Sequence, residues 1–471
     1  MIATTKSAFE ELCQFVRETA MLESIQALLE WDERTKMPSE AGEYRADQIT
    51  YLSGQVHRRR TDPRLKDWLE ALAKSPLCED RHSDPGATIR QIRRDYERRA
   101  RLPQRLVEDL TREAVLGQQA WVKARENNDF AAFAPHLTRM VELKREQASA
   151  IGYKHHPYDA LLDEYEPDAL TSDVAVTLAG LRSELAPLVA EIVQSHRKPP
   201  EEILSRRFPA QTQEAFGQAV AAAIGFDFQR GRLDTTHHPF CSGMGPHDCR
   251  ITTRYDEHFF STAFFGILHE AGHGMYDQGM RTEQYGLPPG TYVSLGIHES
   301  QSRLWENFVG RRKSFWQHFF PRAQTAFPEA LATARLDDFY FAINTVKPSL
   351  IRVEADEATY NLHIIVRFEL EQALIRGDLS VADLPGAWRE KYRVYLGIEP
   401  ANDADGVLQD IHWSAGLFGY FPTYSLGNLY AAQLFEAADQ QLGGLDAQFA
   451  RGDFQPLLTW LRENIHQQGQ C

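Results

Sequence analysis

The chain has 471 residues, 43% hydrophobic and 25% charged, the balance of a folded globular protein. A formal net charge of −15 excludes a surface that tracks nucleic-acid phosphates, which needs an excess of Lys and Arg, and reads instead as a device for solubility. No stretch approaches the ~18 consecutive apolar residues of a membrane span, and the N-terminus lacks the basic start and apolar run of a signal peptide, so the cytoplasm is expected, with neither nucleic acid nor membrane as partner.

Amphipathic helix patterns fill most of the chain. The first covers 9–29, where Leu12, Phe15, Val16, Ala20, Leu22, Ile25, Leu28 and Leu29 recur near a 3.6-residue period. The next stretch, Trp31–Gln48, reads as structure, with Trp31 as an anchor, Met37-Pro38 as a helix start and Arg45 as the partner of an acid elsewhere. Further helices are expected over 86–126, 129–151, 171–195, 209–224, 258–278, 297–315 and 353–376, separated by short turns such as HRKPPEE and GLPPG. The one β region lies between about Phe226 and Tyr255, where RITTRY alternates Arg250, Thr252 and Arg254 against Ile251, Thr253 and Tyr255. The fold class is therefore mainly α: one large helical body over 1–471, with a small sheet next to the helix over 258–278 and a catalytic core at about 226–430.

The five cysteines, Cys13, Cys78, Cys241, Cys249 and Cys471, are scattered and odd in number, which argues against a disulfide framework. Cys241 and Cys249 flank His247, yet their spacing matches none of the paired-cysteine zinc patterns, so no metal is expected there.

The helix over 258–278 contains His269-Glu270-Ala271-Gly272-His273, the pattern HExxH. Histidines at i and i+4 share a helix face and can point at one ion, while the glutamate between them can reach a water at that ion as general base. Phe264, Leu268, Ala271 and Met275 form the apolar stripe that supports the helix. Gly266, Gly272 and Gly274 weaken it by ~1 kcal/mol each relative to Ala, so close approach of another backbone is expected. The three-histidine extension of the motif is excluded, because Tyr276 and Gly279 stand where it needs glycine and histidine. Glu299, on the helix that follows GLPPG, ranks first as third ligand, with Glu283, Glu306 and Asp277 as competitors. Two histidines and one glutamate leave a fourth position for water, the mark of a catalytic site.

HEAGHGMYDQG followed by HESQSRLWEN resembles the carboxypeptidase Taq family of zinc metallocarboxypeptidases, the thermostable carboxypeptidase 1 type. The family's other marks stand in order: WDERTKMPSEAGEYRADQ, HPF at His238–Phe240, DCRITTRY at Asp248–Tyr255, IRVEADEATYNLHI at Ile351–Ile364 and GVLQDIHWSAGLFGYFPTYSLGN at Gly406–Asn428. The resemblance implies zinc, replaceable by cobalt, on His269, His273 and Glu299, with Glu270 as general base and acid. It also implies a helical zincin-type body with a deep cleft and usually a homodimer that removes single C-terminal residues with broad specificity. Cys249 departs from the pattern only at a variable position.

Within those motifs, His412, Tyr420 and Tyr424 are the expected oxyanion donors, and Pro422 argues against a regular helix there. Arg352 is the first choice for the substrate carboxylate and Arg250 the second, by bidentate geometry. The alternative for Arg352 is an ion pair with Glu354 or Asp356. His238 and Asp248 are expected near the cleft floor, and the N-terminal helices over the cleft as a roof. The competing functions are an aminopeptidase or oligopeptidase on a similar scaffold and a metal-binding scaffold without catalysis. The intact Glu270 argues against the last.

Overall fold

Cap and turn residues set several of the helix ends in the computed structural model, which describes residues 2–471. The N-terminal part comprises α1 (Ile2–Thr35), α2 (Gly42–Arg60), α3 (Pro63–Leu72) and α4 (Asp84–Ala100). Asp62 and Ser83 cap α3 and α4, each with proline in the first turn. Leu12, Phe15, Leu65, Leu69, Leu72, Ile89 and Ile92 form their shared core. Arg45 pairs with Asp32 at 2.8 Å, which ties α2 to the end of α1.

Next come α5 (Gln104–Asn127), α6 (Phe130–Ile151), α7 (Pro157–Leu162), α8 (Thr171–Gln194) and α9 (Ala210–Ile224). The single helix expected over 86–126 is thus two. Pro103 stands at the N-cap of α5 and lacks the N–H that a continuous helix would need.

The sheet consists of β1 (Gly231–Thr235), β2 (Cys241–Gly243) and β3 (Cys249–Thr253) in the order β1-β3-β2, with β1 parallel and β2 antiparallel to β3. The alternation read in RITTRY fails at Thr252, which is fully buried. Its hydroxyl donates to the Phe240 carbonyl at 3.0 Å and accepts from the Phe240 N–H at 2.8 Å, so burial costs it no hydrogen bond. β3 packs on α10 (Phe260–Gly279), whose expected stripe of Phe264, Leu268, Ala271 and Met275 is buried.

The helix expected over 297–315 is interrupted. α11 (Leu295–Arg303) passes into a π-helical turn, Leu304–Val309, closed by the Gly310 N–H on the Trp305 carbonyl, before α12 (Lys313–Ala326) begins. α13 (Pro328–Leu331), α14 (Leu336–Ile343), α15 (Glu357–Arg376) and α16 (Leu384–Leu396) follow, and Asp356 caps α15 with hydrogen bonds from the N–H groups of Ala358 and Thr359. Pro422 does not disrupt its segment. It occupies the first turn of α17 (Pro422–Gln441), where a missing N–H costs nothing, and α18 (Asp446–Ala450) and α19 (Gln455–Leu461) follow, the last running into a π-helical turn over Arg462–His466.

Two large cores flank the functional region. One gathers Phe260, Phe264 and Leu268 of α10 with Trp316 of α12, the other the inner face of α15 with Trp388 of α16. α17 enters both, through Leu426 in the second and Ala431 and Phe435 in the first. A cavity of about 660 Å³ lies between Thr19 and Glu23 of α1 and Arg60 of α2 on one side, and Asp277, Tyr292 and His298 on the other. Among the described residues no helix is long and apolar enough to cross a membrane.

Candidate active site

α10 presents His269 and His273 on one face, and their Nε2 atoms lie 3.6 and 3.4 Å from Oε2 of Glu299 on α11. The ligating atoms of the three residues fall within 4.8 Å of one another. The helices approach this closely because Gly272 has no side chain: a Cβ would meet the Gln301 carbonyl oxygen at 2.6 Å and Ser302 Cα at 2.7 Å. Gly427 of α17 clears the other side of Glu299, whose Cγ a Cβ would meet at 2.6 Å. Gly274 makes room for the Phe226 ring, and Gly266 meets only Thr253 Oγ1 at an ordinary 3.6 Å. The expected backbone approach therefore accounts for Gly272 alone of the three.

The donor set fits a divalent cation. His269 Nδ1 lies 2.9 Å from Glu306 Oε2, which holds a proton on that nitrogen and orients Nε2, the nitrogen that would ligate a cation, towards Glu299. Glu306 is itself held by Arg303 at 3.2 Å and Arg311 at 3.7 Å. Burial pushes His269 down, but Glu299 and Glu306 outweigh it and raise that imidazole above its ordinary value, whereas burial drives His273 down to about 4, and its buried Nδ1 has no hydrogen-bond partner among the described residues. Burial pushes Glu299 up, but the Arg303 guanidinium at 2.7 Å outweighs it and keeps the carboxylate ionised. Two imidazole nitrogens and a carboxylate oxygen thus converge, the three-ligand arrangement that leaves a fourth position open. Of the competitors, Glu283 is exposed, Asp277 turns to His298 at 3.3 Å, and Glu306 stands behind His269. Burial raises Glu270 to about 7, a carboxyl able to exchange a proton near neutral pH.

A second cluster contains the buried Arg352 and the half-buried His412, Tyr420 and Tyr424. Arg352 donates through Nε and Nη2 to Asp410 Oδ1 at 3.0 and 2.8 Å, and through Nη1 to the Tyr360 hydroxyl at 3.0 Å. Its ion pair is therefore with Asp410 and not with Glu354 or Asp356, since Asp356 is spent on capping α15. Arg367 takes the other Asp410 oxygen at 2.7 Å. Two guanidiniums share one carboxylate, and burial drives His412 down to about 4, so it adds no charge. His412 Nε2 lies 3.4 Å from the Tyr424 hydroxyl, and the Tyr420 and Tyr424 rings are 5.4 Å apart. Burial, then the nearby Glu299 charge, pushes Tyr420 up to about 12, so its hydroxyl keeps a proton to donate. The clusters are joined through Tyr360, whose ring lies 4.3 Å from the Arg303 guanidinium.

Arg250 and His238 stand apart. Asp248 holds the Arg250 guanidinium at 2.9 and 2.8 Å, and that guanidinium lies 4.4 Å from the centroid of the buried Trp31 ring, clamping the end of α1 onto β3. His238 is exposed between β1 and β2. Sequence reasoning missed Asp410, Arg367, Tyr360, Arg303 and His298, which stacks on His273 at 4.4 Å. Arg303 was findable as an i,i+4 partner of Glu299, and Asp410 sits two residues before His412. Nothing in the sequence sets Arg367 apart from other helix arginines.

The carboxypeptidase Taq (M32) metallopeptidase model matches residues 11–471. Thermostable carboxypeptidase 1 of Thermus thermophilus is 48% identical over 99% of this chain and 93% of its own length. Carboxypeptidase 1 of Bacillus subtilis is 40% identical over 94% of this chain and 88% of its own. Among solved structures, the M32 carboxypeptidase of Deinococcus radiodurans superposes with a TM-score of 0.95 at 40% identity, covering 98% of this chain and 93% of the other.

Proposed function

The chain belongs to the carboxypeptidase Taq (M32) metallopeptidase family, and from that premise we propose that it releases single C-terminal residues from peptides at a zinc ion held by His269, His273 and Glu299. One observation carries the reading: two linked buried clusters have opposite needs. Imidazole nitrogens and a carboxylate converge at His269, His273 and Glu299, which suits a cation. At Arg352 and Arg367 one carboxylate faces two guanidiniums, which suits the free carboxylate of a peptide end.

Bound zinc, or cobalt in its place, supplies Lewis acidity at the scissile carbonyl and lowers the pKa of water. Glu270 takes a proton from the attacking water and returns it to the leaving amine nitrogen, a role suited to a carboxyl near 7. The protonated hydroxyls of Tyr420 and Tyr424, or His412, donate to the oxyanion as charge develops. Arg352 orients the substrate carboxylate. Arg250 and His238 take second place, at the sheet side. We read residues 1–471 as one unit, with α1 to α4 over the cavity. The five free cysteines fit a reducing cytoplasm, and the family resemblance suggests a homodimer.

The test compares N-blocked dipeptides bearing a free carboxylate with the same peptides amidated, using protein loaded with zinc or cobalt. Cleavage of the free-carboxylate substrates alone supports the reading. Release of N-terminal residues, or equal cleavage of the amidated peptides, replaces it with an aminopeptidase or oligopeptidase. Bound metal without turnover of either series replaces it with a scaffold.

A further inference from the structure

The wall of the 660 Å³ cavity nearest His298 brings together groups that the peptidase reading does not use. Cys241 Sγ of β2 lies 3.5 Å from Cys249 Sγ of β3, and Cys249 Sγ lies 3.9 Å from Asp277 Oδ2 on α10. The three ligating atoms fall within 4.8 Å of one another. We propose that Cys241, Cys249 and Asp277 form a second cation site, for a thiophilic divalent ion such as Zn²⁺ or Cd²⁺, with solvent from the cavity as fourth ligand.

Three observations favour a cation over the other uses of a cysteine pair. Two thiolates at 2.3 Å from a tetrahedral zinc stand about 3.8 Å apart, within a few tenths of an ångström of the separation here. The strand register places Cys241 opposite Ile251 and Cys249 opposite Gly243, so the cysteines are diagonal neighbours on one face of the sheet. Diagonal pairs have Cα atoms roughly 7–8 Å apart, beyond the roughly 4.4–6.8 Å that a disulfide spans, whereas a bridging ion adds the missing length. Asp277 reaches the pair because Gly243 has no side chain: a Cβ there would meet Asp277 Oδ2 at 3.1 Å. His298 Nε2, 3.3 Å from Asp277 Oδ1, then orients the carboxylate as an outer partner does at a metal site. Paired sulfurs select soft or borderline ions over Mg²⁺ or Ca²⁺. On binding, each thiol releases its proton to solvent as its sulfur–metal bond forms. His247, the residue between the cysteines that suggested a local motif, is exposed and takes no part. The third ligand comes from another element, which is why the spacing of Cys241 and Cys249 looked wrong for a metal.

The experiment uses reduced, metal-free full-length protein titrated with Co²⁺ under anaerobic conditions. Two equivalents are expected per chain, one of them giving an intense near-ultraviolet thiolate-to-cobalt charge-transfer band. Cys241→Ser and Cys249→Ser each remove that band and one equivalent, while Glu299→Gln loses the other equivalent and keeps the band. The band reports thiolates and the peptide assays report hydrolysis, so either reading can fail without the other. A wild-type protein that takes one equivalent with no band overturns the proposal, as does a band that survives both serine substitutions. In the unmutated protein, Cd²⁺ is expected to shield Cys241 and Cys249 from alkylation, read by peptide mass mapping. Full labelling at saturating Cd²⁺ overturns it too.

Discussion

The two buried charge clusters differ in what they lack. Around His269 and His273, three carboxyl groups, Glu270, Glu299 and Glu306, stand against the guanidiniums of Arg303 and Arg311, and Glu306 orients His269 so that its Nε2 faces inward. Around Arg352 the balance is reversed, with Arg367 as a second cation and, among the described residues, Asp410 alone to pair with them. Burying surplus charge is costly unless a counter-charge completes it, so each cluster is a demand for a ligand of opposite sign. A peptide whose carbonyl meets a cation and whose terminal carboxylate meets an arginine satisfies both. The clusters also differ in construction. The first comes from two helices close in sequence, the second from segments around 352, 367, 410 and 424.

The sharpest way to break the comparison is at Glu270. Glu270→Gln should keep the cation, read by metal analysis, and lose activity by about 10²–10⁴-fold in kcat, whereas His269→Ala should lose metal and activity together. Full activity of Glu270→Gln would show that the base lies elsewhere. Asp410→Asn should destabilise the fold by about 3–5 kcal/mol in denaturant unfolding, because two buried guanidiniums lose the only carboxylate that pairs with them among the described residues. Arg352→Met should raise KM for free-carboxylate peptides by roughly 10–100-fold while metal content is unchanged, from the loss of a charged hydrogen-bond pair. Glu306→Gln should do the opposite, weakening metal affinity by about 10–100-fold with KM little altered, since it orients His269 without touching substrate.

The smallest effect separates the clusters by the sign of their pH dependence. In cation-free protein burial lifts Glu270 from 4.5 to about 7, so its contribution to stability is full below 4.5 and falls as pH rises towards 7. At Asp410 burial pushes up, but Arg352 and Arg367 outweigh it and hold the carboxyl well below 3.8. Its contribution is therefore present above 3.8 and lost as the medium turns acid. Chelator-treated wild type should lose stability between pH 4.5 and 7 relative to Glu270→Gln, and Asp410→Asn should be closest to wild type at the acid end, both read by thermal melts.

Much of the first cluster was legible because helical periodicity converts spacing into geometry. His269 and His273 share a face at any helix position, and GLPPG signals the turn that precedes Glu299. Glu299 already ranked ahead of Glu306 and Asp277 in the sequence, but how closely its carboxylate comes to both imidazoles depends on how α11 crosses α10, and that approach needs Gly272, whose absent Cβ matters only against a particular neighbour. Pro422 shows the limit from another side: the same residue breaks a helix in its interior and begins one at its first turn, and only the surrounding chain decides which.

The sequence by itself determined a mainly helical chain, a small sheet beside an HExxH helix, and the residue types of a two-histidine, one-glutamate centre, because those follow from local periodicity and side-chain chemistry. Only the tertiary structure decided that Asp410 holds Arg352 with Arg367, that Arg250 clamps Trp31 instead of entering the site cluster, and that Asp277 meets Cys241 and Cys249. Those contacts join residues remote in sequence through the packing of whole elements, and a buried charge is defined by what surrounds it in space.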